Sequence, residues 1–209
     1  MFKFSVRQKF LFVSSLVCFL AFLVLTWLVV TVNVDSQVGL AQLNQFFWQR
    51  LGRQQVWELV TDVLGYLLIL IVVGLVFWQV YQWFSRKSLF CVDKNLLFLD
   101  IVLICVFVFY VFFEIFVVNY RPEIGTVSTK ASYPSSHVMF FATVLPILMW
   151  LIWHYIKHRP TCLVLTILLS FTLLVGTVGR LLSGVHWFTD VLASLIISAC
   201  LDCFYFIFV

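Results

Sequence analysis

Six long apolar stretches constrain the fold of this sequence more than any other feature. They cover approximately residues 10–32, 59–83, 95–118, 138–155, 161–177 and 187–208. A helix that crosses the hydrocarbon core of a bilayer needs about 20 mainly apolar residues, and it satisfies its backbone hydrogen bonds internally. The sequence therefore predicts an all-α, polytopic membrane protein with six transmembrane helices in one bundle.

Composition supports the same class. The chain is 64% hydrophobic and 11% charged, whereas soluble domains are about half apolar and a quarter charged. The net charge of +4 arises from residues spread along the loops, so no nucleic-acid partner is expected. The six cysteines lack metal-site spacing. The sequence shows no internal repeat and no domain boundary, so residues 1–209 are expected to form a single domain.

The distribution of Lys and Arg predicts the orientation. If the helices alternate, eight basic residues fall on one side: Lys3, Arg7, Lys9, Arg86, Lys87, Lys94, Lys157 and Arg159. The other side holds five, namely Arg50, Arg53, Arg121, Lys130 and Arg180. The positive-inside rule then places both termini in the cytoplasm. The first apolar stretch is longer than a signal-peptide core and is expected to be retained.

The loop at residues 33–58 has a pattern of its own. Apolar residues recur there at roughly helical spacing among Gln, Asn and Arg. This pattern favours a short interfacial helix between helices 1 and 2, which roofs a site or gates lipid entry. A plain linker between the two helices fits the same residues.

Three short clusters carry the candidate chemistry. In the first, His186 and Asp190 are four residues apart, and on a helix they share a face, where the carboxylate orients the imidazole. Arg180 precedes them and offers a planar fork suited to phosphate. The alternative interpretation is that His186 and Asp190 only satisfy each other at a helix start.

The second cluster contains Ser135, Ser136 and His137, directly before the fourth apolar stretch. Either serine is a natural helix cap, and the free N–H groups of a helix start bind anions. In the third cluster, Arg121 is followed by Pro122, which is expected to end the third helix. For the second cluster the alternative is that it simply starts a helix. For Arg121 the alternative is snorkelling of its side chain to the membrane interface. The predicted topology nevertheless places all three clusters at one membrane face.

Together these motifs resemble those of the type 2 phosphatidic acid phosphatase superfamily, a group of membrane lipid phosphatases. The family patterns are Lys-(x6)-Arg-Pro, Pro-Ser-Gly-His and Ser-Arg-(x5)-His-(x3)-Asp. This chain has matching segments within residues 114–190, and it departs from the pattern at Glu114, Ser136 and Gly179. A carboxylate at Glu114 cannot neutralise phosphate and is expected to pair with Arg121 or Arg180.

The resemblance implies a role for each matching residue. His186 is the expected nucleophile, forming a phosphohistidine, with Asp190 supporting it and His137 as general acid and base. Substrate-binding residues are Arg121, Arg180, Ser135 and Ser136. No cofactor and no metal are implied.

The resemblance also implies a lipid phosphate as the substrate, cleaved at the outer face of the cell membrane. Undecaprenyl diphosphate, with a role in cell-wall biogenesis, is the leading expectation. Phosphatidylglycerophosphate or phosphatidate is the alternative, as is a catalytically weak relative that binds lipid phosphate. The sequence leaves the oligomeric state open. A transporter is disfavoured, because no paired broken helices occur.

Overall fold

The computed structural model describes residues 5–32, 34, 38–88, 92–122 and 128–209. Within these ranges the chain forms seven helices: α1 (Val6–Thr31), α2 (Ala41–Leu51), α3 (Gln55–Arg86), α4 (Lys94–Ile115), α5 (Ser136–Tyr155), α6 (Arg159–Leu182) and α7 (Phe188–Phe208). Six of them, all except α2, are long and apolar enough to cross a membrane. The all-α, six-span prediction is thereby confirmed. Lys3, Asn33 and Cys91 lie outside the described residues.

The helix ends differ from the expected ones in two places that matter for function. Helix α4 ends at Ile115, so the prediction that Pro122 ends it was wrong. Helix α6 continues to Leu182, which places Arg180 in its last turn instead of in the following loop. Hydropathy marks the apolar centre of a helix, but capping and tertiary contacts decide where it stops.

Helices α5 and α7 form the centre of the bundle. Ser194 and Ser198, one turn apart on α7, donate hydrogen bonds to the carbonyl oxygens of Ser135 (2.9 Å) and Met139 (3.0 Å) on α5. In lipid, where apolar burial gives helices little reason to associate, small polar residues of this kind fix the contact. On the opposite side of α7, the Ser15 hydroxyl of α1 donates to the carbonyl of Cys200 at 3.0 Å.

Helices α3 and α6 pack against each other at the periphery, with apolar side chains such as Phe77 and Phe171 exposed to lipid. Two glycines of α6 allow neighbouring helices to come close: Gly176 faces α5, and Gly179 faces α3. A Cβ atom at Gly176 would lie 2.6 Å from the ring of Phe141. A Cβ atom at Gly179 would lie 2.8 Å from the methyl group of Thr61 on α3. Any larger residue at either position would require its neighbour to move.

The short helix α2 packs on the segment that forms the first turn of α7. The Phe47 ring stacks on Phe188 at 4.1 Å between centroids. The buried Asn44 donates to the Thr189 hydroxyl at 2.9 Å and accepts from the Thr189 backbone N–H at 3.1 Å. Helix α2 therefore braces this segment and is more than a linker. Its position in the membrane interface stays a prediction.

Candidate functional site

The residues singled out by the sequence lie at one end of the bundle. Here α3, α5 and α7 begin, while α4 and α6 end. Two backbone hydrogen bonds join these ends: Gln54 N–H donates to Leu182 O at 3.1 Å, and Ser135 N–H donates to Asp190 O at 3.3 Å. Segments that are far apart in sequence thus meet around two histidines.

We call the first group the His186 cluster and define it as Arg121, Ser132, His186 and Asp190. His186 is buried in the turn before α7, and its Nδ1 atom lies 2.9 Å from the backbone oxygen of Ser132. A carbonyl oxygen only accepts hydrogen bonds, so Nδ1 carries the proton. The Nε2 atom therefore keeps its lone pair, which is the form that a nucleophile requires.

Asp190 supports His186 less directly than the sequence predicted. Because α7 begins at Phe188, His186 precedes the helix and the two residues do not share a helix face. The Asp190 Oδ2 atom lies 3.8 Å from His186 Nδ1, which is too long for a hydrogen bond. Between them stands the Ser132 hydroxyl, which donates to Asp190 and lies 3.2 Å from His186 Nδ1.

The Asp190 carboxylate is buried but well satisfied. Besides Ser132, it accepts from the Asn119 side-chain amide at 3.1 Å and from the Trp187 backbone N–H at 2.9 Å. Hydrogen bonds of this kind fix the position of a carboxylate. Asp190 is therefore a fixed negative charge beside the His186 ring.

The electrostatic surroundings keep His186 neutral. Burial lowers the pKa of His186 below its usual value, and the neighbouring Asp190 opposes this effect. The positive charges of Arg121 and Arg180 lower it further. At neutral pH the ring is thus unprotonated, with a free lone pair on Nε2.

The loop between α4 and α5 positions Arg121 by backbone contacts. Its N–H donates to Lys130 O at 3.1 Å, and its side-chain Nε donates to Ala131 O at 3.2 Å. Tyr133 secures the loop, because its hydroxyl lies 2.7 Å from that of Thr26 on α1. Arg121 lines a small polar pocket that His186 also lines.

We call the second group the His137 cluster and define it as Asp62, His137 and Arg180. One oxygen of Asp62 on α3 accepts a charge-assisted hydrogen bond from the Arg180 guanidinium at 2.6 Å. The same oxygen lies 3.3 Å from His137 Nε2. Gly65, one turn after Asp62, leaves room for the imidazole, since a Cβ atom there would lie 3.2 Å from the His137 ring.

The start of α5 supplies neutral donors between the two clusters. Ser135 is the N-cap, yet its hydroxyl makes no capping bond and is fully buried without a partner among the described residues. The N–H groups of the first helical turn have no intrahelical acceptor. Arg180 adds a buried Nε atom that also lacks a partner in the described part of the chain. Unsatisfied donors at a helix start form a site suited to an anion.

A cavity of about 350 Å³ lies beside the His137 cluster, between α3, α4 and α5. Its polar end contains Asp62, His137 and Ser136, and its walls are mainly apolar, including Leu103 and Met139. Ser136 also lines the polar pocket that holds Arg121 and His186. The two spaces are therefore neighbours across the first turn of α5.

Glu114 does not behave as the sequence predicted. It is exposed near the end of α4, and Arg180 is paired with Asp62 instead. The seven-residue spacing between Glu114 and Arg121 does not place them on one helix face, because α4 ends at Ile115, and no ion pair joins Glu114 to either arginine. Glu114 nevertheless lines the polar pocket with Arg121 and His186, so it places a negative charge at the edge of the site.

Sequence reasoning missed two residues of the site. Asp62 belongs to none of the three clusters that the sequence singles out, yet it pairs with Arg180. The available signal was an acid next to an apolar stretch, which is costly unless paired. Ser132 carries no sequence signal, because its role depends on a backbone oxygen in a loop. In residues 5–32, 34, 38–88, 92–122 and 128–209, no group of three or more His, Cys, Asp or Glu side chains is placed to hold a metal ion.

Comparison with known proteins agrees with this geometry. The model of a family described as the PAP2 superfamily matches residues 105–209. Among solved structures, the fold is similar to the "first transmembrane PAP2 type phosphatidylglycerolphosphate phosphatase from Bacillus subtilis". The match has a TM-score of 0.66 and 21% identity, and it covers 92% of this chain and 94% of that chain. No curated protein sequence matches the chain.

Proposed function

This chain belongs to the PAP2 superfamily, and from that premise we propose that it is an integral membrane lipid phosphatase working through a phosphohistidine intermediate. The observation that carries the proposal is the hydrogen bond between His186 Nδ1 and Ser132 O at 2.9 Å. It leaves Nε2 unprotonated on a residue that lines one pocket with Arg121, while the Ser135 hydroxyl and Arg180 Nε lack partners among the described residues.

In the first step, His186 Nε2 attacks phosphorus and forms a P–N bond while the bond from phosphorus to the leaving oxygen breaks. Asp190 stabilises the positive charge that develops on the ring. His137 gives its proton to the leaving oxygen. Arg121 and Arg180 bind the phosphoryl oxygens, together with the donors at the start of α5.

In the second step, a water molecule attacks the phosphohistidine. His137 accepts a proton from that water, the P–N bond breaks, and His186 leaves with its Nε2 lone pair restored. Splitting the hydrolysis in this way replaces one difficult displacement by two easier ones. All groups required are side chains and backbone N–H groups, so the scheme needs no cofactor and no metal.

The cavity next to His137 supports a lipid substrate. Its volume of about 350 Å³ falls within the range of about 300 to 1,000 Å³ typical of ligand sites. Tyr66 and Phe107 line it and are also exposed on the outer surface of the bundle. A lipid chain can therefore lie between α3 and α4 with its headgroup at the two histidines.

The substrate proposed first is undecaprenyl diphosphate, cleaved at the outer face of the cell membrane with both termini in the cytoplasm. The distribution of Lys and Arg supports that orientation. Hydrolysis there would return the carrier lipid to cell-wall biogenesis. A second candidate is a monophosphate such as phosphatidylglycerophosphate. It is favoured by Glu114, whose charge at the pocket edge disfavours a second phosphate group.

The decisive experiment measures phosphate release from a panel of lipid phosphates by the purified protein and by His186→Ala. The substitution should lower turnover about 10⁴-fold or more, as loss of a nucleophile does. His154→Ala is the matched control, because His154 stacks on Trp150 near the C-terminal end of α5, away from the site, and should remain active. Turnover retained in His186→Ala, or a folded wild-type protein that binds lipid phosphate without turnover, would refute the proposal.

A further inference from the structure

Asp62 is the one member of the His137 cluster that lies outside residues 114–190, where the family motifs fall. It projects from the second turn of α3, and its side chain is 37% exposed. Both of its partners belong to the motifs: Arg180 on α6 and His137 on α5. One carboxylate oxygen thus connects the arginine that binds phosphate with the histidine that protonates the leaving group.

We infer that Asp62 is a positioning residue for the leaving-group side of the active site. Its Oδ1 atom stands where a substrate oxygen must come, between the Arg180 guanidinium and His137 Nε2. It holds both groups in place and orients the Nε2–H of His137. This inference rests on the proposed phosphatase function.

The geometry gives Asp62 two opposing effects on the reaction. A carboxylate oxygen 3.3 Å from His137 Nε2 accepts the Nε2–H hydrogen bond, which directs that proton to the place of the leaving oxygen. The same carboxylate repels an incoming phosphate and competes with it for Arg180. When substrate binds, Arg180 transfers its hydrogen bond to a phosphoryl oxygen, and Nε2–H turns to the leaving oxygen. The proton then moves to that oxygen as the P–O bond breaks.

The packing of α3 on α6 explains why Asp62 reaches the site. Gly179 precedes Arg180 and stands where the family has serine. A Cβ atom there would lie 2.8 Å from Thr61 and 3.2 Å from Trp57. The absence of a side chain at Gly179 lets α3 come close enough for Asp62, the neighbour of Thr61, to bind Arg180. The glycine in place of the family serine at Gly179 and the carboxylate of Asp62 in the site are therefore linked through the same close contact of α3 with α6.

Asp62→Asn tests the inference through two substrates that differ in their leaving group. An alkyl phosphate monoester needs a general acid, whereas 4-nitrophenyl phosphate releases a stable phenolate without one. We expect kcat for the alkyl phosphate to fall by about 10- to 100-fold, and kcat for 4-nitrophenyl phosphate to fall by no more than about threefold. Removing the competing charge should also lower KM and tighten inhibition by inorganic phosphate about fivefold or more.

Glu58→Gln is the matched control. It removes the same charge one turn earlier on α3, and no ion pair joins Glu58 to the described residues of the site. It should leave the ratio of the two kcat values unchanged. Asp62→Glu, which restores the charge on a longer side chain, should recover part of the alkyl phosphate turnover.

A loss that is equal for the two substrates would overturn the inference, as would a raised KM. If Asp62→Asn lowers the thermal midpoint, the same comparison is made in Asp62→Glu, and equal losses there also overturn it. The outcome is separable from the proposed function, because turnover by the wild-type protein and its loss in His186→Ala do not depend on Asp62.

Discussion

Substitution of Gly179 by alanine or serine should damage the enzyme, although serine is the family residue at this position. The added Cβ atom would lie 2.8 Å from Thr61 Cγ2, at least about 0.6 Å short of ordinary carbon–carbon contact. Thr61 cannot rotate away at low cost, because its hydroxyl donates to the carbonyls of Trp57 (2.7 Å) and Glu58 (3.0 Å) and the side chain is fully buried. The backbones of α3 and α6 must therefore separate.

The expected cost follows from two opposing effects. Overpacking a close helix contact costs about 1 to 3 kcal/mol, while replacing glycine by alanine within a helix gains about 1 kcal/mol. Gly74→Ala separates these effects, because a Cβ atom at Gly74 on α3 would meet nothing within 4 Å. Relative to Gly74→Ala, Gly179→Ala should be less stable by about 1 to 3 kcal/mol, which lowers the thermal midpoint by roughly 2 to 12 °C.

Activity should fall together with stability. A shift of α3 by about half an ångström moves Asp62 relative to Arg180, and misplacement of about 1 Å in an active site costs on the order of 100-fold. We therefore expect about a tenfold loss of kcat/KM in both Gly179→Ala and Gly179→Ser. Thermal unfolding in detergent and phosphate release measure the two effects. A Gly179→Ser variant as active as the wild type, with an unchanged midpoint, would refute this account of the α3–α6 contact.

Two further predictions concern the His186 cluster. Ser132→Ala removes the hydroxyl between Asp190 and His186 and should lower kcat about tenfold, the equivalent of one hydrogen bond. Ser132→Thr keeps the hydroxyl and is the control. Equal activity of the two variants would contradict the assigned role. Because the pKa of His186 is lowered, the nucleophile stays neutral as pH falls, and the acid limb of kcat/KM against pH should lie below about 6.5. Asp190→Asn removes the charge that raises this pKa. The acid limb of its residual activity on the same substrate should therefore lie at still lower pH, and a limb shifted to higher pH would contradict this prediction.

The membrane fold could be predicted from the sequence because it depends on local composition. Each apolar stretch is long enough to span the bilayer by itself, and its backbone hydrogen bonds are internal. No knowledge of the partners of a helix is needed to recognise it. The ends of α4 and α6 were less predictable, since loop contacts such as that between Arg121 N–H and Lys130 O decide where regular structure stops.

The candidate site was predictable only where a motif carried it. His137, Arg180 and His186 were found because they stand in short patterns of a known family. Asp62 stands in no such pattern, and its bond to Arg180 joins residues 118 positions apart. Ser132 interacts with His186 partly through a backbone oxygen, which any residue type would provide. Relations of this kind arise from tertiary packing and leave no periodic or compositional signal.

The charges around the site constrain how it can hold a phosphate. The site contains two arginines and three carboxylates, namely Arg121, Arg180, Asp62, Glu114 and Asp190. Their net charge is therefore −1 when both histidines are neutral. With the family lysine in place of the glutamate the sum would be one positive charge. Coulomb attraction is therefore weaker here than the family pattern implies. Binding must depend more on neutral donors, such as the unpartnered Ser135 hydroxyl.

The apolar cavity between α3 and α4 must supply much of the remaining affinity. For a lipid phosphate that enters from water, burial of its chain contributes about 0.8 kcal/mol for each methylene group, so a few buried methylene groups offset the loss of one favourable charge. For short-chain substrates dissolved in water, affinity should therefore increase with chain length, because each further methylene group leaves water for the same apolar space. Affinity should also change little with salt, since screening weakens charge pairs and leaves apolar burial intact. The replacement of the family lysine by Glu114 thereby makes recognition of such substrates depend less on the headgroup and more on the chain.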